Sequence, residues 1–270
     1  MTKASLIPSH AALLLQYLDN KYDSNTRSLV IISDLHIGFE FDLHKKNILL
    51  DSTRLIDDIL TEIYSISNKN HVDGIVILGD LKSSIYNINK IEWDLIPNFL
   101  STLAKDFDVF LVPGNHDGNI SLLAPDSIIM ANTSGLVIDD TLLIHGHTMP
   151  YSIQESINRI IIGHVHPIFL HSSSILHGER IWIHLKIKRE FLKPHKSGII
   201  DLIIIPTFNK YYYSFINDTN RYKSKFKNHT NSISPIIRKV IENNAILQGA
   251  IFSLDGALIG DMSDFKKIMK

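Results

Sequence analysis

The feature that most narrows the possible folds is a rhythm in which short, wholly apolar runs alternate with helical periodicity and each run stops at a polar cluster. Residues 28–33 carry Leu29, Val30, Ile31 and Ile32 and end at Asp34. Residues 49–67 place Leu55, Ile56, Ile59, Leu60 and Ile63 at helical spacing, and Val72-Asp73-Gly74 breaks the pattern ahead of the run 75–78. A second helical stretch over 91–104 leads to the run 109–112, closed by Pro113-Gly114. Apolar runs without alternation read as strands covered on both faces, and β-α-β-α-β order predicts a layered α/β sheet with right-handed crossovers.

Beyond residue 125 the rhythm changes. Residues 127–130, 136–138 and 142–144 read as short strands between turn residues, expected as an antiparallel meander. A short helical piece near 153–157 precedes a strand over 160–162, and further strands are expected over 181–187 and 199–205. These predict a second sheet packed on the first. With 270 residues the chain can bury a sizeable core, and it is expected to form one domain over 1–270, with a core at 28–206 and an extension at 207–270 packed on it.

Hydrophobic residues at 44% and charged residues at 20% argue against a wholly disordered or fibrous chain. The longest apolar runs are far too short to cross a bilayer, and residues 1–15 lack a signal-peptide core, so a soluble, cytoplasmic protein without a membrane partner is expected. Lys and Arg number 27 against 28 for Asp and Glu, a net charge of −1, so nucleic acid could be gathered only by local patches. The absence of cysteine excludes disulfides, thiolate zinc sites and a cysteine nucleophile. Any metal site must use imidazole, carboxylate and amide ligands.

Fourteen histidines invite a check for clustering with acids, and they do cluster. Asp34-Leu35-His36, Gly79-Asp80, Gly114-Asn115-His116-Asp117, His145-Gly146-His147 and Gly163-His164-Val165-His166 each follow an apolar strand-like run. Loops beyond strand C-termini are where open α/β sheets place ligands. Each cluster alone is an ordinary turn, but five in consistent order are a poor coincidence.

This ordered set resembles the calcineurin-like metallophosphoesterases, whose signature runs D-x-H, G-D, G-N-H-D/E, H and G-H-x-H. The flanks Asp34-Leu35-His36-Ile37-Gly38-Phe39-Glu40, Gly79-Asp80-Leu81-Lys82, Gly163-His164-Val165-His166-Pro167 and Pro206-Thr207-Phe208-Asn209 look like the archaeal phosphoesterases related to SbcD-type repair nucleases. Bacterial relatives of that group are associated with DNA ligases, and the likeness continues to Leu254-Asp255-Gly256. The resemblance implies a four-layer αββα sandwich, two mixed β-sheets flanked by helices, with a dinuclear site on loops at the strand ends.

Two divalent cations about 3.5–4 Å apart can clamp a phosphate and generate hydroxide near neutral pH. By resemblance Asp80 bridges them, one metal taking Asp34, His36, Asp80 and His166 and the other Asp80, Asn115, His145 and His164. Manganese is the expected metal in vitro, with Fe, Zn and Mg as alternatives, because imidazole ligands favour transition metals over calcium. His116 is the expected general acid, with Asp117 favouring its imidazolium and fixing the ring. His147 touches substrate phosphate or supports a ligand; Lys82 neutralises a phosphate oxygen or is an ordinary loop lysine; Glu40 bonds His36 or is a solvated turn residue. His10, His44, His71, His171, His177, His184, His195 and His229 are expected to pack in the core or lie on the surface.

Tyr211, Tyr212, Tyr213, Phe215, Arg221, Tyr222, Lys223, Lys225, Phe226 and Lys227 interleave aromatics with positive charge, as does the basic run 185–196 with Lys186, Lys188, Arg189 and Lys193. Either they bind a single strand of nucleic acid or the aromatics pack under the sheet and the cations are solvated. The expected activity is hydrolysis of a phosphodiester, DNA or RNA included, with repair proteins as partners by family analogy. The alternatives are a phosphomonoesterase or pyrophosphatase on a small nucleotide or metabolite, and a non-catalytic scaffold that binds a partner.

Overall fold

Alternation along each strand decides how the layers stack. A computed structural model describes residues 2–19, 25–45, 47–150, 154–171, 173–192, 197–218 and 234–261. The first sheet holds β1 (Lys3–Leu6), β2 (Leu13–Asp19), β3 (Asn25–Ile32), β4 (Gly74–Leu78), β5 (Asp108–Val112) and β6 (Ile129–Met130), in that spatial order. Between its strands run α1 (Glu40–His44), α2 (Ser52–Asn70) and α3 (Lys90–Leu103). Strands β3 to β6 are parallel, while β1 and β2 add an antiparallel hairpin at one edge.

The second sheet holds β7 (Leu136–Ile138), β8 (Thr141–Ile144), β9 (Arg159–Ile162), β10 (Ile181–Lys188) and β11 (Ile199–Ile204). After α4 (Lys210–Asp218) and α5 (Pro235–Glu242) it is completed by β12 (Ile246–Ser253) and β13 (Leu258–Asp261). Its order is β13-β12-β10-β11-β9-β8-β7, with β8, β9 and β11 parallel.

In β3, Leu29 and Ile31 turn inward to meet Leu143, Ile161, Trp182 and Ile203 of the second sheet. Val30 and Ile32 turn outward, packing with Ile56, Ile59 and Ile63 of α2 and Ile96, Phe99 and Leu100 of α3. The outer face of the second sheet buries Ile160, Ile162, Leu202 and Ile204 against Ile236, Ile237 and Val240 of α5. Strands with two buried faces cannot alternate apolar with polar, which is why they read as unbroken apolar runs. The result is the expected αββα sandwich.

Four local readings are corrected. The β1–β2 hairpin was not anticipated. The strand near 127–130 is β6, which pairs parallel with β5 at the edge of the first sheet rather than joining a meander. Of the three strands expected as a meander, β7 and β8 alone pair antiparallel, and β8 goes on to pair parallel with β9. Of the expected helical piece, residues 154–157 form a turn, Ile157 donating to the Gln154 carbonyl at 3.2 Å, and 151–153 lie outside the described residues. No helix among the described residues is long and apolar enough to cross a membrane.

Candidate metal centre

The five polar clusters follow β3, β4, β5, β8 and β9, and backbone bonds tie neighbouring strand ends together within each sheet. Asp34 donates its N–H to the Gly79 carbonyl at 3.1 Å, His36 to Asp80 at 2.9 Å and Gly163 to His145 at 3.0 Å. Just past the strands the chain bends sharply: Asp34, His36, Asp80, His164 and His166 all have left-handed backbones, with φ of 60°, 45°, 49°, 65° and 48°. Such conformations are unfavourable outside glycine, and their clustering at one place marks a site held by the surrounding fold.

Two groups of side chains share Asp80. In one, potential ligand atoms of Asp34, His36, Asp80 and His166 lie within 4.8 Å of one another; in the other, so do those of Asp80, His145 and His164. Asp80 divides its oxygens between them. Its Oδ2 lies 3.7 Å from His36 Nε2, and its Oδ1 lies 3.3 Å from His145 Nε2. His166 Nε2 reaches Asp34 Oδ1 at 3.0 Å, and the His164 N–H donates to both Asp34 oxygens at 3.3 and 3.2 Å. Asp34, His36, Asp80 and His145 are buried.

The donor set fits divalent metals. Asn115 Oδ1 is buried without a hydrogen-bond partner, an arrangement that is costly unless something else satisfies it, and the buried His145 Nε2 faces the Asp80 carboxylate at 3.3 Å. The backbone leaves room for such a centre where side chains would fill it. A Cβ on Gly79, itself at φ +79°, would overlap the His145 ring, and one on Gly114 would overlap Asp80 Oδ1. Burial works against the charge on His145, and the Asp80 carboxylate outweighs it, holding that imidazole up at about 9. His164, by burial and the neighbouring His145, is lowered to about 3, and His147, for the same reasons, to about 4.

His116 stands at the edge of the first group, its Nε2 3.9 Å from Asp80 Oδ2 and its ring 4.9 Å from that of His36. The expected contact with Asp117 is replaced: His116 Nδ1 bonds the Ser83 carbonyl. Asp117 is buried and accepts from the Gly114 N–H at 2.7 Å and the Lys82 N–H at 3.2 Å, so it ties two loops together. Burial, with Asp80 nearby, raises its carboxyl to about 6.

Lys82 is also buried, and its ammonium donates to the carbonyls of Ser84 and Ile85. A lysine aimed at its own loop is not extended toward a phosphate. Glu40 is buried in α1, not solvated, and makes no bond to His36, whose Nδ1 has no hydrogen-bond partner. His147 packs near the second group, its ring 5.4 Å from that of His145 and 6.3 Å from that of His164.

Three participants escaped the sequence reading. Glu92 accepts from the N–H groups of Ser83, Ser84 and Asn89, stiffening the loop that holds His116. Its signal was legible, since Asn89-x-x-Glu92 is a helix capping box. The Ser83 carbonyl carries no side-chain signal at all. Tyr212, weighed only as part of a basic aromatic segment, stacks on His36. Its neighbours also pack: Tyr211 bonds Asp58, and Tyr213 lies 5.6 Å from the Arg180 guanidinium. Lys193, Arg221, Tyr222, Lys223, Lys225, Phe226 and Lys227, and the side chain of Phe215, lie outside the described residues.

A family model for calcineurin-like phosphoesterases matches residues 27–205. Among solved structures, the chain is similar to the nuclease MPE of Pseudomonas putida, at 15% identity over 78% of this chain and 88% of that one, with a TM-score of 0.46. It is also similar to Yfce, a phosphoesterase from E. coli, at 14% identity over 87% and 97% of the two chains, with a TM-score of 0.38. No curated protein sequence matches the chain.

Proposed function

The chain belongs to the calcineurin-like phosphoesterases, and from that premise we propose that it is a metal-dependent phosphodiesterase whose substrate carries a nucleobase, a polynucleotide foremost. The observation that carries the reading is Asp80, one oxygen toward His36 and the other toward His145, with the His116 imidazole beside it. In this reading Asp34, His36, Asp80 and His166 hold one divalent ion, and Asp80, Asn115, His145 and His164 hold a second. Bound there, such ions supply Lewis acidity toward phosphoryl oxygen and an acidified water. Manganese is our proposed activating metal, given the imidazole-rich set.

The remaining work falls to the chain's own residues. The Ser83 carbonyl accepts a hydrogen bond from the Nδ1–H of His116, which leaves Nε2, in the imidazolium form, as the nitrogen able to deliver a proton to a departing oxygen. Asp117 acts as a staple: by gripping Gly114 and Lys82 it fixes the loop that carries Asn115 and His116. In this reading His147, whose ring lies 5.4 Å from that of His145, touches a substrate oxygen beside the second group.

Two observations favour a diester with a base attached. Lys82 turns its ammonium to loop carbonyls, so the loop carrying Asp80 brings no cation for the second charge of a phosphomonoester dianion. Farther along that loop Tyr86 is 83% exposed, offering a ring on which a base can stack. The sequence flanks support placing the chain near the SbcD-related phosphoesterases.

Metal-stripped protein reloaded with Mn should hydrolyse bis-p-nitrophenyl phosphate and cleave single-stranded DNA or RNA, with slower turnover of the monoester. Exclusive monoester or pyrophosphate hydrolysis would transfer the chain to metabolite chemistry. Bound metal without turnover on any phosphoester would leave a partner-binding role.

A further inference from the structure

The two histidines that face Asp80 from opposite sides are held differently. His145 Nδ1 bonds the Leu78 carbonyl at 2.8 Å, leaving Nε2 directed at Asp80. This is the usual device for an imidazole that binds metal, since a bond at the second nitrogen fixes both tautomer and ring plane. His36 lacks it. Its Nε2 faces Asp80 and His166, while its Nδ1 is buried with no hydrogen-bond partner.

What His36 has is an aromatic face. The Tyr212 ring stacks on it with centroids 3.9 Å apart and planes 26° from parallel. Tyr212 also meets His166 edge-on at 5.9 Å, and Phe39 at 5.5 Å, so one ring touches two histidines of the same group. The stack is anchored. Asn209 Oδ1 accepts the N–H groups of Tyr211 and Tyr212 at 3.0 and 3.2 Å, and Asn209 Nδ2 donates to the Leu35 carbonyl at 2.6 Å, between Asp34 and His36. Phe208 donates its N–H to the Ser33 carbonyl at 2.9 Å. Residues 208–212 are therefore tied to the strand end that carries the first group, although they lie beyond the segment the family model matches.

We infer that Tyr212 is the positioning residue of the first metal group, its stacked ring fixing the plane of His36 as the Leu78 carbonyl fixes that of His145. This rests on the reading that the Asp34 group binds a divalent ion. The work belongs to the flat ring and not to the hydroxyl. Tyr212→Phe should therefore be silent, whereas Tyr212→Leu frees the His36 ring to rotate and weakens one metal site alone.

The test is calorimetric titration of metal-stripped protein with Mn²⁺, in wild type, Tyr212→Phe and Tyr212→Leu, each with His36 intact and as His36→Ala. Wild type and Tyr212→Phe should bind two ions alike. Tyr212→Leu should bind one as wild type does and the other about 10–100-fold more weakly, the range for losing the partner that orients a metal-binding histidine. In the His36→Ala background the leucine change should do nothing further. Tyr212→Met keeps bulk without a flat ring and replaces the leucine variant if that one does not fold. Two unchanged sites in Tyr212→Leu, weakened binding in Tyr212→Phe, or a leucine effect that survives His36→Ala would each overturn the inference. Wild-type protein that binds no Mn²⁺ would instead overturn the metal reading beneath it.

Discussion

The Asp34 group and the His145 group share one carboxylate and are built on different principles. Both groups take every member from residues 27–205, but the His145 group takes its order from main chain, a carbonyl of β4 setting the imidazole. The Asp34 group, which like the other draws on the strand ends of both sheets, leans instead on side chains of the segment after β11. A site framed by backbone tolerates sequence change around it, because any residue offers a carbonyl. One framed by a side chain depends on that residue's identity and is the half a lineage can tune.

The harshest way to break the comparison is to remove what the halves share. Asp80→Ala should reduce turnover of bis-p-nitrophenyl phosphate to the level of metal-stripped protein and abolish binding at both groups, read as ions bound per chain, with circular dichroism unchanged. Full metal content in that variant would show that Asp80 does not bridge. His116→Ala should keep both metals and lose about 10²–10⁴-fold in rate, the usual range for general acid catalysis. A smaller loss for substrates with a good leaving group would sharpen the assignment, since nitrophenolate departs without a proton.

Next come the halves separately. His145→Ala and His36→Ala should each weaken the binding of one ion, still measurably bound, and leave the other unchanged, and a variant losing both would show the groups to be a single cooperative site. The mildest probe is pH. In the metal-free protein His145 holds its proton up to about 9, Asp80 outweighing the effect of burial, whereas burial pushes His36 well below its ordinary value. Filling the His145 group must therefore expel a proton, and its affinity should fall about tenfold per pH unit below 9, while the Asp34 group responds less near neutrality. Titration in two buffers of different ionisation enthalpy measures that release. The same shift has a stability sign: raised above the ordinary 6.5, the His145 proton stabilises metal-free protein fully below that value and is lost as pH climbs through 9. Metal-stripped protein should unfold at progressively lower denaturant over that window.

Much of this was readable in the chain because it is local. Apolar runs such as Ile75 to Leu78 announce doubly buried strands, and the polar clusters directly beyond them are confined by chain connectivity to strand ends. The β1–β2 hairpin was missed because Leu13-Leu14-Leu15 has neither clean alternation nor a flanking cluster to single it out. Partner choice was less legible. Asp117 follows His116 in sequence yet grips the Gly114 and Lys82 amides, because a carboxylate in a tight loop finds backbone donors before it finds an adjacent ring. Lys82 looked like a phosphate contact because nothing in a sequence says which way a long side chain turns. Tyr211, Tyr212 and Tyr213 read alike as a run and separate only in space: one meets Asp58, one His36, one Arg180.

The left-handed backbone at Asp34, His36, Asp80, His164 and His166 has a consequence for descent. Each of these side chains resists its conformation by about 1–2 kcal/mol, and glycine or asparagine would accept the same bend with less resistance. The fold alone would therefore drift toward smaller residues at these five places and become sturdier as it did so. A copy of this gene released from its task should lose its chemistry here first, and gain melting temperature in losing it.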